Sequence, residues 1–312
     1  MTTRAVGSLN IFPLSLGGNV FGWTVDEAGA PAILDAFTEG GADRLIDTAD
    51  VYPAWAPGAA GGDSEKILGG WLATRGRDRA LIATKVAKLE GRRGLSPENV
   101  RTSVEDSLRR LGTDHIDLYY AHEEDPQTPI EQTAEVFSAL VDEGKIREIG
   151  FSNFAAESGR AWIQAAKSNG WHAPTAMQPE YSLVERGYES DLAGFAAEEG
   201  LAVLPYYSLA SGFLTGKYRS PADFAGTARA EGAAHYATEA GLHLIEVLRE
   251  VAAAHGAQVV SVALAWLLSK PQIAAPIASA SKPAQVDGLL AAPELSLTAA
   301  ELSALDEASA AV

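Results

Sequence analysis

Four residues that can exchange protons stand at or just beyond the ends of short apolar runs. One run leads into Asp47, with Tyr52 in the loop that follows, and two others lead into Lys85 and His122. Runs of this kind predict buried strands, and the end of a strand holds an ionisable side chain in a fixed position. If the three ends lie on one side of a single sheet, the four side chains meet at one place.

The chemistry open to these four groups is the delivery of a proton to a carbonyl oxygen that gains negative charge. A tyrosine is a weak acid with a reference pKa of about 10, and a neighbouring ammonium favours the phenolate and lowers that pKa. We expect Lys85 to supply the ammonium and Asp47 to keep it charged. His122 offers a ring N–H or an imidazolium to the oxygen. The set contains no obvious activated nucleophile.

Each of the four residues also has a purely structural explanation. Asp47 could cap a turn, Tyr52 could pack half-buried, and Lys85 could lay its stem along apolar surface. His122 could be a hydrogen-bonded histidine of the core. Three strand ends that each carry a different ionisable group are costly to bury, so their combination favours a functional site.

The composition is that of a globular protein and argues against several kinds of partner. The chain has 312 residues, of which 47% are hydrophobic and 21% charged, and its formal net charge is −17. Nucleic acids and anionic membranes require a basic surface, so we expect neither partner. The sequence has no cysteine and no apolar run of the ~18 residues that a membrane helix needs. These features predict a soluble cytoplasmic protein that acts on a small molecule.

Short β-rich runs alternate with longer helical patterns, which predicts a single α/β domain over residues 1–312. After an N-terminal β-hairpin, the predicted strands are 14–17, 45–47, 81–85, 118–121, 146–151, 175–178, 201–206 and 273–277. The predicted helices between them are 32–39, 64–72, 96–111, 128–143, 157–169 and 191–199, and residues 218–242 are expected to form a long loop. Eight such strands predict a (β/α)8 TIM barrel, with extra helices at the C-terminus.

An open, doubly wound sheet is the alternative fold. It would normally carry a G-x-G-x-x-G fingerprint after the first strand. Gly17, Gly18 and Gly22 do not have that spacing. The missing fingerprint therefore favours the barrel.

Three other enzyme classes lack the residues that they need. A barrel glycosidase requires two carboxylates at facing strand ends, and Glu123 or Glu124 would have no partner at the end of the seventh strand. The 6 histidines are not spaced as metal ligands, so no metal site is expected. Residues 212–217 are too few for a Walker loop.

Long, ordered motifs in the sequence resemble those of the aldo-keto reductases, and the resemblance covers nearly the whole chain. The motifs lie at residues 16–18, 47–52, 64–69, 84–85, 103–112, 114–122, 144–153 and 209–218. The chain is most similar to the bacterial branch that also resembles the β subunits of voltage-gated potassium channels. The resemblance implies a nicotinamide cofactor bound across the barrel mouth without a Rossmann domain, which accounts for the missing fingerprint.

The resemblance also implies a role for individual residues. Tyr52 matches the general acid, Asp47 and Lys85 match the residues that tune it, and His122 matches the residue that orients the carbonyl. The positions that match the cofactor contacts of the family are Ser152, Asn153 and Gln178 at the carboxamide, Tyr206 on the nicotinamide ring, Leu209, Gly212 and Lys217 at the pyrophosphate, and Ser279, Ser281, Lys282 and Gln285 at the adenosine phosphate.

Two positions depart from the family pattern. Residues 206–208 read Tyr-Tyr-Ser where an aromatic residue, serine and proline are usual. The residue that stacks on the nicotinamide ring could therefore be shifted by one position from Tyr206. Leu289 stands where the family has an adenine-binding asparagine. Ser281 is well placed as a helix N-cap with Lys282 beside it, which predicts a site for a 2′-phosphate. We therefore expect a modest preference for NADPH over NADH.

The predicted function is the reduction of aldehydes or ketones to alcohols by hydride transfer from NADPH, with Tyr52 as the acid. Trp23, Trp55 and Tyr120 are candidates for an aromatic wall around the substrate, although Trp55 could equally cover the barrel rim. The alternative function is a cofactor-binding regulatory or redox-sensing subunit with little turnover, because such proteins can retain all four acid–base residues.

Overall fold

A computed structural model describes residues 3–218, 223 and 230–312 of the chain. Its first elements are the antiparallel strands β1 (Arg4–Val6) and β2 (Leu9–Ile11), which confirm the predicted hairpin. Gly7 makes the turn with a φ of +56°, a value that favours glycine. The apolar side chains of the hairpin pack in one cluster with inward-facing side chains of the main sheet.

The main sheet has 8 parallel strands, and consecutive strands along the chain are neighbours. These strands are β3 (Ser15–Gly17), β4 (Leu45–Asp47), β5 (Leu81–Val86), β6 (Ile116–Ala121), β7 (Ile146–Ser152), β8 (Ala176–Gln178), β9 (Ala202–Val203) and β10 (Ile277–Ala278). The last strand, β10, pairs with the first, β3. At the other edge, Val203 exchanges backbone hydrogen bonds with Gln272 and Ala274, both of 2.8 Å. The sheet therefore closes, and the predicted (β/α)8 barrel is confirmed.

Helices surround the sheet and provide the crossovers that parallel strands need. In the described part of the chain they are α1 (Ala30–Thr38), α2 (Asp63–Arg75), α3 (Pro97–Leu111), α4 (Ile130–Asp142), α5 (Ala156–Asn169), α6 (Leu192–Glu199), α7 (Ala230–Ala234), α8 (Glu239–His255), α9 (Val259–Leu268), α10 (Val286–Leu290) and α11 (Ala299–Ser309). Helices α1 to α6 each follow one of the strands β3 to β8. The last two helices, α10 and α11, follow β10.

Helix α3 shows how local sequence sets the helix ends. The Ser96 hydroxyl accepts a hydrogen bond from the Asn99 amide at 3.4 Å, and Pro97 occupies the first turn. Gly112 ends the helix with a φ of 64°. A serine cap, an early proline and a final left-handed glycine are the usual signals for these positions. The prediction that this helix ends at Leu111 is confirmed.

The strands are buried on both faces, because helices cover the outside and side chains fill the inside. Every residue of β6 is buried. Leu118 and Tyr120 of this strand belong to the inner cluster. Tyr119 points outward, where its ring centroid lies 5.5 Å from that of Phe137 on α4. This alternation follows from the two-residue period of a strand.

Two predicted strands differ from the structure by more than one residue, and each contains a proline. Strand β9 covers Ala202–Val203 rather than residues 201–206, and β10 covers Ile277–Ala278 rather than 273–277. Pro205 and Pro276 lack the N–H that a ladder needs. The predicted loop 218–242 lies partly outside the described residues. Within it, α7 and the first turn of α8 are helical, so the prediction is wrong there.

In the described part, no single helix is long and apolar enough to cross a membrane. Helices α8 and α9 have the required length and composition only as a pair, and they meet at an angle of 95°.

Candidate active site

The parallel strands bring the predicted acid–base residues to one mouth of the barrel. Asp47 is the last residue of β4, Lys85 lies near the end of β5, and His122 directly follows β6. In the ladder, Asp47 pairs with Ala83 and Lys85 pairs with Tyr120. These positions are at the carboxyl ends of the strands, where barrel enzymes place their chemistry.

Hydrogen bonds join Asp47, Lys85 and Tyr52 in one buried chain. The Lys85 ammonium donates to Asp47 Oδ2 at 2.7 Å and to the Tyr52 hydroxyl at 3.4 Å. It also donates to the Thr48 carbonyl at 2.7 Å. Asp47 Oδ1 accepts from the Gln178 side-chain amide at 2.9 Å. Because Lys85 is 0% and Asp47 3% exposed, water screens this ion pair very little.

The acidity of Tyr52 differs from the sequence prediction. Burial raises the pKa of Tyr52 well above its usual value, and the Asp47 carboxylate raises that pKa further. The prediction of a lowered pKa is therefore wrong, because burial of the hydroxyl, together with the nearby Asp47 carboxylate, outweighs the effect expected from the Lys85 ammonium. Burial lowers the pKa of Lys85, while Asp47 raises it. Tyr52 thus holds its proton at neutral pH.

His122 is buried next to Tyr52 as a neutral imidazole. Its ring centroid lies 5.9 Å from that of Tyr52, with 73° between the planes. Burial lowers the pKa of His122 well below its usual value, and the charges of Lys85 and Lys88 lower it further. Among the described residues, His122 Nδ1 has no hydrogen-bond partner. Of the two forms that the sequence leaves open, the lowered pKa of His122 favours the one with a single ring N–H.

The residues predicted to contact a carboxamide form one network with Tyr206. The Ser152 hydroxyl donates to the Gln178 carbonyl at 2.8 Å. The Asn153 side-chain amide donates to Ser152 Oγ at 3.0 Å and to the His122 carbonyl at 2.8 Å. The Tyr206 hydroxyl donates to the Asn153 side-chain oxygen at 2.8 Å. The network therefore connects the ends of β7 and β8 with His122.

The two adjacent tyrosines after β9 have different environments. Tyr206 is half-buried, and its amide donates to the Pro179 carbonyl at 2.9 Å. Tyr207 is 53% exposed and has a φ of +51°. Tyr206, rather than Tyr207, is therefore the tyrosine that joins the hydrogen-bond network of Ser152 and Asn153.

The segment after β9 holds the three residues predicted at the pyrophosphate, namely Leu209, Gly212 and Lys217. A kinked 3-10 turn over Ala210–Thr215 gives Gly212 a φ of 95°. A Cβ on Gly212 would lie 3.3 Å from the Lys217 ammonium. Leu209 packs against the core, whereas Lys217 is exposed. The turn thus places an exposed cation next to a glycine backbone.

The segment predicted at the adenosine phosphate does not form the expected cap. Lys282, rather than Ser281, is the N-cap, and the element that follows is a 3-10 turn over Pro283–Gln285. Gln285 Oε1 accepts from the Ser281 amide at 2.8 Å and from the Lys282 amide at 3.2 Å. The prediction that Ser281 caps a helix start open to a phosphate is wrong, because the Gln285 side chain already binds the Ser281 and Lys282 amides. Positive charge here comes from the exposed Lys282 side chain.

Ser279 connects this segment to the first strand of the barrel. Its hydroxyl donates to the Asn19 side chain at 2.7 Å. A Cβ on Gly17 would lie 2.5 Å from the Ser279 hydroxyl, so this close approach requires glycine. Leu289 is 2% exposed and packs in the core.

Two of the three predicted substrate residues stand at the mouth. The Trp55 ring centroid lies 5.4 Å from Tyr52 and 6.0 Å from Trp23. Trp55 is 49% exposed. Tyr120 is 0% exposed, and the Lys85 ammonium lies 5.9 Å from its ring. The structure does not place Tyr120 in the wall with the tryptophans, because the alternation of β6 turns its side chain into the barrel.

Two buried acids beside the site, Glu65 and Asp50, and the half-buried Arg110 are absent from the predicted site residues. Glu65 of α2 is 0% exposed. It accepts from the Arg110 guanidinium at 2.6 Å and from the Thr84 hydroxyl at 2.6 Å. Asp50, in the loop before Tyr52, is 1% exposed. The sequence signal for these residues is that they lie within the motifs at 47–52, 64–69 and 103–112, and residue type alone does not show which of them are buried.

The chain matches the model of the Aldo/keto reductase family over residues 13–310. The chain belongs to this family. Aldo-keto reductases are oxidoreductases that reduce small-molecule carbonyl compounds, and they generally use nicotinamide cofactors. The match includes all of the barrel strands.

Individual aldo-keto reductases are similar over most of the chain. Aldo-keto reductase YhdN of Bacillus subtilis (strain 168) is 33% identical over 285 residues, which cover 88% of this chain and 81% of that protein. The uncharacterized oxidoreductase YrpG of the same organism is 34% identical over 301 residues, or 93% and 89% of the two chains. Human aflatoxin B1 aldehyde reductase member 2 is 39% identical over 206 residues, or 65% of this chain and 55% of that protein.

Proposed function

We propose that this aldo-keto reductase reduces aldehydes or ketones to alcohols with NADPH, and that Tyr52 is the general acid. The observation that carries the proposal is the buried hydrogen-bond chain of Asp47, Lys85 and Tyr52 next to the buried His122 ring. A hydroxyl that can give up a proton and an imidazole N–H are the donors that a carbonyl oxygen needs as it gains negative charge.

Each residue of the chain has a separate task in this reaction. The raised pKa of Tyr52 keeps its proton in place until the carbonyl oxygen becomes basic. Lys85, 3.4 Å from that hydroxyl, stabilises the phenolate left by the transfer. Asp47 holds the ammonium in position, and His122 orients the carbonyl through its N–H. When bound, the nicotinamide supplies the hydride that reaches the carbonyl carbon.

The groups around the mouth fit a nicotinamide dinucleotide. The Ser152 hydroxyl and the Asn153 side-chain amide are the proposed carboxamide contacts, and on binding they would exchange hydrogen bonds that they now make within the protein. Tyr206 offers an aromatic face. Lys217 and Lys282 offer two exposed ammonium groups to phosphates in a chain of net charge −17. Further proposed contacts are Gln178, Leu209, Gly212, Ser279, Ser281 and Gln285.

The preference for NADPH over NADH depends on Lys282 in this proposal. An exposed lysine pairs with a phosphate as a point charge, so we expect Lys282→Ala to lower kcat/KM for NADPH by about two- to fivefold, which corresponds to roughly 0.5–1 kcal/mol. The value for NADH should not change. Lys167→Ala, at an exposed ion pair of α5, is the control. Equal use of both cofactors by the wild type, or equal losses in Lys282→Ala, would contradict the preference.

The substrate wall formed by Trp23 and Trp55 favours carbonyl compounds with an apolar or aromatic body. No contact among the described residues favours a regulatory subunit with little turnover over an enzyme. A cytoplasmic location stays a prediction from the sequence.

A panel of aldehydes tests the proposal directly. NADPH oxidation should follow the addition of aromatic aldehydes, and NADPH deuterated at C4 should deliver deuterium to the carbinol carbon of the product. The proposal fails if NADPH binds but no carbonyl compound of the panel is reduced.

A further inference from the structure

Asp50 is a buried acid that the proposed reaction does not use. It lies in the loop between β4 and α2, and its amide donates to the Lys85 carbonyl at 3.3 Å. The residue is 1% exposed. Within residues 3–218, 223 and 230–312 neither carboxyl oxygen accepts a hydrogen bond of ordinary geometry, although the adjacent Val51 amide interacts weakly with the carboxyl group. Burying an unpaired carboxylate is costly, so its presence two positions before Tyr52 calls for an explanation.

Charged and titratable groups face Asp50 from each element packed around it. Glu65 on α2 and Arg110 on α3 form an ion pair of 2.6 Å. Lys85 on β5 contributes a positive charge. The buried Tyr119 hydroxyl on β6 has no partner in the described part of the chain, and it interacts electrostatically with Asp50 and Glu65. The carboxyl groups of Asp50 and Glu65 thus both interact with the Arg110 guanidinium, and Glu65 accepts the hydrogen bond from it.

This arrangement keeps Asp50 protonated at neutral pH. Burial raises the pKa of Asp50 to about 8, with a further contribution from Glu65 and opposing effects from Arg110, the Val51 amide and Lys85. Below that pH the carboxyl adds no charge beside Tyr52. Above it, a negative charge appears in the loop, and such a charge raises the pKa of Tyr52.

We propose that Asp50 is a positioning residue that sets the alkaline limit of carbonyl reduction, meaning the pH above which kcat/KM falls. It does so through the charge that it adds beside Tyr52 and Lys85. The inference rests on the proposed function, because it acts through Tyr52 as the proton donor. While Asp50 is protonated, Asp47 is the carboxylate that opposes the Lys85 ammonium at the hydroxyl. Once Asp50 is ionised, a second carboxylate disfavours the phenolate, and Tyr52 becomes a weaker acid.

Two variants of nearly unchanged shape should move the alkaline limit in opposite directions. Asp50→Asn cannot ionise, so kcat/KM for aldehyde reduction should stay level above about pH 8, where the wild type falls by up to about tenfold per pH unit. Glu65→Gln removes the competing carboxylate, so Asp50 ionises next to Arg110 and the fall should begin at lower pH. Urea unfolding of each variant verifies that it is folded over the pH range used.

The inference is overturned if wild type and Asp50→Asn lose activity over the same alkaline range. A direct titration separates this outcome from a failure of the proposed function. In protein labelled with ¹³C at aspartate carboxyls, one resonance should titrate near pH 8 and be absent from Asp50→Asn. If no such resonance exists, the inference fails even in an active reductase. If it exists but no aldehyde is reduced, the proposed function fails, and with it the role of Asp50 in reduction.

Discussion

The buried ion pair of Lys85 and Asp47 leads to a stability prediction that a double-mutant cycle can measure. Lys85→Met removes the ammonium and keeps an unbranched apolar side chain. It leaves Asp47, which is 3% exposed, with the Gln178 amide at 2.9 Å as its remaining side-chain partner. A buried carboxylate without its counterion is destabilised because neither water nor positive charge compensates it.

The expected cost follows from the burial of the pair and from its geometry. Removing one partner of a buried ion pair typically costs about 3–5 kcal/mol. We expect this range for Lys85→Met, because Lys85 is 0% exposed and donates at 2.7 Å both to Asp47 and to the Thr48 carbonyl. Asp47→Asn keeps the shape and removes the charge. The double variant buries neither charge, so it should be more stable than Lys85→Met alone.

Urea unfolding of the wild type, the two single variants and the double variant at pH 7 gives the coupling free energy. For residues in contact we expect about 1–3 kcal/mol. The matched control is the exposed pair of Arg101 and Glu143, also 2.7 Å apart, which should couple by less than about 1 kcal/mol. Effects of Lys85→Met and Asp47→Asn that add to within about 0.5 kcal/mol would refute the reasoning.

Two further stability predictions come from His122 and Asp117. The pKa of His122 is lowered in the folded state, so below about pH 6.5 the unfolded chain binds a proton that the folded chain does not. As the pH is lowered through this range, the free energy of unfolding therefore falls by at most ~1.4 kcal/mol per pH unit. His122→Gln should flatten this slope between about pH 7 and 5, and an unchanged slope would count against a buried neutral imidazole. Asp117 is 0% exposed and pairs with Arg77 at 2.6 Å, so Asp117→Ala should cost roughly 3–5 kcal/mol in urea unfolding. Asp114→Ala, at a side chain 93% exposed, should leave the urea midpoint close to that of the wild type, and equal losses in the two variants would contradict the assigned burial.

The sequence predicts that Asp47, Lys85 and His122 lie close together, because the signals that place each of them are local in the sequence. Each of these residues ends or follows an apolar run, and parallel strand order then brings the ends together. Helix α3 is predictable for the same reason, since Ser96 and Gly112 mark its ends within the sequence itself.

Side-chain positions in the folded chain account for what the sequence does not predict. The direction of the pKa shift of Tyr52 depends on its burial and on Asp47 lying beside Lys85. The amides of Ser281 and Lys282 are bound because the Gln285 side chain folds back onto them. Residue types and spacing contain neither fact, because both depend on where side chains point after folding.

The central claim is that the Tyr52 hydroxyl delivers the proton in carbonyl reduction. Tyr52→Phe keeps the ring and removes that proton, and Tyr207→Phe removes a hydroxyl from the exposed neighbouring tyrosine as a control. With NADPH and an aromatic aldehyde, kcat for Tyr52→Phe should fall by ~10²–10⁴-fold, while its Kd for NADPH and the activity of Tyr207→Phe stay close to wild type. A folded Tyr52→Phe protein that reduces the aldehyde at the wild-type rate would contradict the claim.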